Sequence, residues 1–96
     1  MPDLEEIYSK LGSGFCRVKE GKLLESYLLS DAEIEMIGKM LPVTEHLPQD
    51  LEVGILEFDI NSRFAIFKIE DHFLVFPVKT DNFSEIMKKK GAFYET

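Results

Sequence analysis

Few residues in this chain have the chemistry to do more than fold. There is one cysteine, Cys16, and there are two histidines, His46 and His72. A thiol acts as a nucleophile only with a base beside it. Cys16 lies within Phe15-Cys16-Arg17-Val18, where a buried small hydrophobe is the expected role, since free cysteine is among the most buried residue types. Each histidine follows an acid, Glu45 and Asp71 respectively. The two share no metal-ligand spacing, and no cysteine lies near either. His72 falls at a hairpin turn and His46 at a helix end, so both are expected to be solvated. Gly12-Ser13-Gly14 is the only glycine-rich spot, but a phosphate loop needs Lys-Ser/Thr after its second glycine, and here Phe15-Cys16 follows. The motif is expected to stop a helix. Acid pairs such as Glu5/Glu6 and Glu33/Glu35 are expected on exposed helix faces, whereas acid–base catalysis needs carboxylates in a cleft. The expectation is therefore a non-enzyme with no cofactor and no metal. Any catalysis would have to use His72 with Asp71, or Cys16.

Length and charge narrow the classes further. A chain of 96 residues allows one domain, 1–96. At 11.1 kDa it should expose roughly 5,700 Å² when folded and bury about 65% of its unfolded surface, enough for a core without staples. The net charge of −7 opposes nucleic-acid binding, which needs clustered cations. The one basic cluster, Lys88-Lys89-Lys90, suits the last turn of a helix, where cations oppose the dipole. A single cysteine permits no internal disulfide and fits a reducing cytosol. The acidic start, Met1-Pro2-Asp3-Leu4-Glu5-Glu6, has no signal-like apolar region. No apolar run approaches the ~20 residues that span a bilayer. A cytoplasmic protein without membrane insertion is expected.

The elements follow from periodicity and punctuation. Leu4, Ile7 and Leu11 make one face of a short helix from Asp3 to Leu11, with acids in its first turn. A hairpin follows: Phe15 to Val18, a turn at Gly21, and a less regular strand from Lys22 to Leu28 in which Leu23-Leu24 breaks the alternation. Ser30-Asp31-Ala32-Glu33 is a capping box and predicts a helix. Ile34, Ile37 and Leu41 line one face of that helix, and Met36, Met40 and Val43 an adjacent one. Pro42 kinks it or ends it near Leu41; any continuation through Leu47 closes at Pro48. Leu51–Asp59, Arg63–Glu70 and His72–Lys79 read as a three-strand meander, with a turn at Ile60-Asn61-Ser62. Apolar residues on both faces of the last two strands predict a sheet covered on both sides. The strand from Leu51 is more mixed, interrupted by Glu52 and Glu57, and suits an edge. Pro77 should loosen the last strand. Asp81 or Asn82 caps a closing helix with Phe83, Ile86 and Met87 on one side and Gly91 at its end; Phe93 and Tyr94 are placed to pack back on the sheet, and Glu95-Thr96 should fray. The fold class is α+β, α-β-β-α-β-β-β-α, with one antiparallel five-stranded sheet.

This order, with the Phe15–Leu28 hairpin and its Lys19-Glu20-Gly21 turn, the Ser30-capped helix, and the runs Glu52-Val53-Gly54-Ile55-Leu56 and Phe73-Leu74-Val75-Phe76-Pro77-Val78, resembles the Roadblock family, the dynein light-chain class and its prokaryotic relatives. The likeness covers nearly the whole chain but rests on pattern and not on a catalytic motif. Pro42 and Pro48 interrupt a central helix that is smoother in the family. The resemblance implies sheet order 2-1-5-4-3, with the second helix on one face and the terminal helices on the other. It implies a homodimer joined through the third strands with the second helices side by side. Val53, Ile55 and Glu57 would form that interface with Ile37 and Leu41, which together with Ile34 would face the sheet or the dimer partner. It further implies a non-catalytic scaffold or regulator of a small Ras-like GTPase or of another signalling or motor assembly. Glu33, Glu35, Met36, Lys39 and Met40 would then meet the partner.

Other classes compete with that expectation. A small ligand-sensing domain of profilin-like or PAS-like shape would need a cavity between sheet and helix. The many phenylalanines (Phe58, Phe64, Phe67, Phe73, Phe76) speak for a filled interior instead.

Overall fold

The computed structural model describes residues 3–48, 50–51, 53–59, 62–69, 71–79 and 82–91. The chain starts with helix α1, Leu4–Leu11. The Asp3 carboxylate accepts from the Glu6 N–H at 2.8 Å, and Gly12, at φ 75°, ends the helix by donating to the Tyr8 carbonyl. This left-handed stop is where glycine costs least. Strands β1 (Phe15–Lys19) and β2 (Lys22–Tyr27) form the expected hairpin. Both turn residues, Glu20 and Gly21, have positive φ, as a two-residue type I′ turn requires. The irregularity at Leu23-Leu24 is a β-bulge: Arg17 pairs with Glu25 and Val18 with Leu23, so Leu24 has no opposite residue.

Helix α2, Asp31–Thr44, opens with the predicted capping box. The Ser30 hydroxyl accepts from the Glu33 N–H at 3.1 Å, and Glu33 Oε1 accepts from the Ser30 N–H at 2.8 Å. The helix runs through Pro42 and stops at Thr44, whose hydroxyl donates to the Leu41 carbonyl at 2.6 Å. Pro42 removes the donor that would have met the Gly38 carbonyl.

Strands β3 (Val53–Asp59), β4 (Ser62–Ile69) and β5 (His72–Val78) form the meander. Pro77 stays within β5, opposite Phe64. Helix α3, Phe83–Gly91, follows, with the Asn82 side chain accepting from the Ser84 N–H at 2.9 Å. The turn expected at Ile60-Asn61, the Glu52 interruption, the Asp81 alternative cap and the packing of Phe93 and Tyr94 lie outside the described residues.

All strand pairs are antiparallel, and the sheet order is β2-β1-β5-β4-β3. The two faces carry separate cores. Ile7 and Leu11 of α1 and Ile86 of α3 pack with Phe15, Ala65, Phe67, Leu74 and Phe76. On the other face Ile37 and Met40 of α2 pack with Cys16, Val18, Phe64, Ile66 and Val75. The alternation within β1, β4 and β5 divides these residues as the sequence pattern requires. Lys89 ties the first layer together, donating to the Leu11 carbonyl at 2.7 Å and standing 5.6 Å over the Phe76 ring.

Candidate functional site

The sheet has two edges, and they differ. In β2 the bulge at Leu24 interrupts pairing in mid-strand, a feature that blunts an edge. In β3 the register with β4 runs unbroken from Val53 to Glu57 and shifts only beyond it. The outer side of β3 is thus a regular run of backbone able to pair with another strand.

Side chains along β3 alternate between the layers. Val53 and Ile55 are half-buried and lean on the α1/α3 core. Glu57 is exposed, its Oε2 accepting from Arg63 Nε at 3.0 Å. Leu56 packs on the α2 side, and so does Phe58, whose ring centroid lies 5.9 Å from that of Phe64 in a T-shaped pair. Helix α2 lies nearest β1 and β2. It therefore leaves the β3 end of its own face thinly covered, and Phe58 is 44% exposed. Sequence reasoning counted Phe58 among residues filling the interior. The missing signal was the lateral position of α2, which no local pattern carries.

On α2 the expected faces rotate. Ile37 and Met40 are 1% and 3% exposed and rest on the sheet with Thr44, a spacing of i, i+3 and i+7. Leu41 and Met36 flank them, half-buried, while Val43, expected beside Met40, is 50% exposed. The polar candidates remain outside: Glu35 and Lys39 are exposed, and Glu33 is half-buried with its carboxylate held by the capping box. Within one chain the α2 residues and the β3 residues do not meet. Val53 and Ile55 join the core on the α1/α3 face, whereas Ile37 and Met40 join the core on the opposite face.

The chemistry-bearing side chains sit elsewhere. Cys16 is fully buried against α2, and that burial pushes its thiol up to about 12. His46 is exposed, as expected. His72 is not: it is 5% exposed, correcting the expectation of a solvated turn residue. Strand β5 begins at His72 itself, opposite Ile69, and alternation places its ring on the α1/α3 face with Leu74. Its Nδ1 lies 3.5 Å from Asp71 Oδ1, and its Nε2 has no hydrogen-bond partner among the described residues. The hydrogen bond from Lys19, and then that from His72, hold the Asp71 carboxyl below the usual range. Cys16 and His72 stand on opposite faces of the sheet, so the imidazole is not placed to activate the thiol. Among the described residues no three His, Cys, Asp or Glu side chains come together in a way that would hold a metal ion. No helix among the described residues is long and apolar enough to cross a membrane.

The fold and this edge define a small α+β domain built on one five-stranded antiparallel sheet. No family model matches the chain. A protein of the archaeon Archaeoglobus fulgidus, itself described as uncharacterized, is 42% identical to it over 93 residues, which is 96% of this chain and 94% of the relative. The chain belongs to one family with that archaeal protein.

Proposed function

We propose that this protein is a non-catalytic, cytoplasmic homodimer of Roadblock type that scaffolds or regulates a small Ras-like GTPase or a related signalling or motor assembly. The observation that carries this reading is the unbroken β3 edge beside the thinly covered Leu56 and Phe58. An edge of this kind is a template for another strand. A second copy joined there would continue the sheet and cover Phe58. Supporting it, the sheet order and the division of the helices between faces are those the resemblance implies. In the dimer the exposed Glu35 and Lys39 would face outward and offer charged contacts to the partner.

The test is capture of purified Ras-like GTPases, in both nucleotide states, on the immobilised protein. The reading expects at least one to bind. Reversing Glu35 with Glu35→Lys should weaken capture about tenfold, the cost of a misplaced interface charge. Unchanged capture by that variant would count against the helix surface. No capture of any GTPase would count against the partner class.

A further inference from the structure

A cavity of about 350 Å³ opens between the first turns of α2 and the adjoining ends of β4 and β5. Its size is at the small end of the range for small-molecule sites, which run about 300–1,000 Å³. Sequence reasoning expected a filled interior; this cavity lies at the margin of the cores, where the end of α2 stands above the strand ends. Phe64, Met36 and Pro77 supply apolar lining, while Ser13, Ser62 and Lys79 add polar groups.

The charges in the lining differ in what they already do. Glu33 Oε1 is bound to the Ser30 N–H, and Arg63 Nε is bound to Glu57. Lys79 is exposed and makes no ion pair among the described residues. Among the described residues Lys79 is thus the lining cation without an ion pair, beside apolar side chains and the Glu33 carboxylate, in a chain whose net charge is −7. One lysine suits a singly charged head. A phosphate, with up to two charges, is better matched by several cations or a bidentate arginine. A second cavity, of about 310 Å³, at the far end of α2 is more polar and its charges are mixed: Lys19 and Lys68 share the lining with Glu20, Glu45 and Asp71, and Lys19 is bound to Asp71 at 2.7 Å.

We propose that the α2–β4–β5 cavity binds a small organic monocarboxylate, its apolar body against Phe64, Met36 and Pro77 and its carboxylate accepting from Lys79 at the rim. The ordinary physics of such sites applies: apolar area supplies affinity, and a few placed polar groups fix orientation. Nothing in this inference requires the dimer.

Phenylacetate is a suitable probe, with phenylacetamide as its uncharged counterpart, both titrated into the ¹⁵N-labelled protein and followed by amide shifts. Saturable shifts at Met36, Phe64 and Lys79 with a Kd below ~1 mM are expected. The amide, and phenylacetate with the Lys79→Gln variant, should each bind about tenfold more weakly, as loss of one charge-assisted hydrogen bond implies. Lys79 is exposed, so this variant is expected to keep the fold, and its unperturbed spectrum checks that. Absence of shifts at these residues up to ~10 mM phenylacetate, well above the weakest expected affinity, would overturn the inference. So would equal affinity for acid and amide, or binding unaffected by Lys79→Gln.

Discussion

At the residue scale, two side chains decide how the chemistry of this chain is read. Cys16 stays protonated at neutral pH because burial holds its thiol far above the ordinary range, and a thiol is a poor nucleophile. A disulfide reagent should label it in the folded protein only as fast as the chain opens, with the rate rising in urea; prompt stoichiometric labelling of native protein would contradict this. The second is Asp71, whose carboxyl is held low chiefly by Lys19, while the same contact holds the Lys19 amine up. A carboxyl depressed on folding contributes stability that is present above its unfolded value, near 3.8, and lost as pH falls through the folded value. The raised amine contributes below its ordinary value of 10.5, and that part is lost as pH rises through its folded value. Between those limits both parts are present, though small, because both groups are exposed and screened. Asp71→Asn should therefore lower the urea midpoint at pH 7 and low salt, with the difference shrinking in high salt and vanishing well below pH 3.8. An equal difference at every pH would contradict the pairing. The burial of Cys16 was legible because it sits inside an alternating strand. That of His72 was not, although the strand was read from His72 onward: its place beside the Asp71 turn pointed to solvent, and its burial depends on packing that local sequence does not carry.

At the element scale, the best-read feature was the start of α2. The capping box is a local exchange of hydrogen bonds, so four residues suffice to specify it. Ser30→Ala should cost about 1 kcal/mol in urea unfolding, the usual cost of losing such a cap; no loss would contradict the geometry. The C-terminal end of α2 was less legible. Pro42 signalled a kink or stop, yet the helix runs on to Thr44, the proline lying in its last turn. Pro42→Ala should stabilise the protein by about 1–2 kcal/mol, less than the ~3 kcal/mol of a helix interior. A lower urea midpoint for this variant would mean that the proline fits its site better than the helix ladder suggests. The bulge at Leu24 explains the irregular β2 pattern in retrospect, but a broken alternation alone cannot distinguish a bulge from a strand end. The three strands of the meander were placed to within about two residues because short links and alternating faces constrain them together.

At the scale of the whole molecule, the chain is as compact as its length allows. Its radius of gyration is 12.2 Å against about 12.5 Å expected for 96 residues. Its surface of 5930 Å² is close to the scaling value of roughly 5,700 Å². The five strands and the two apolar faces of β4 and β5 followed from residue alternation and short connections, the edge position of β3 from its mixed character, and the sheet order and the placing of the helices from the resemblance. The candidate surface was only half legible. Ile37 rests on the sheet, one of the two places expected for it; Met40, expected to meet a partner, rests there too, and Phe58 is exposed because α2 lies nearest β1 and β2. The cavity beside Met36 was not legible at all, as it depends on how α2 ends above the strands. The central claim is that the open β3 edge pairs with a second copy. Light scattering on a sizing column across a dilution series tests it directly. The account predicts a mass of twice 11.1 kDa persisting to the low micromolar range expected of a specific interface, with Ile55→Lys shifting the protein toward monomer. A mass of 11.1 kDa at every concentration would contradict it.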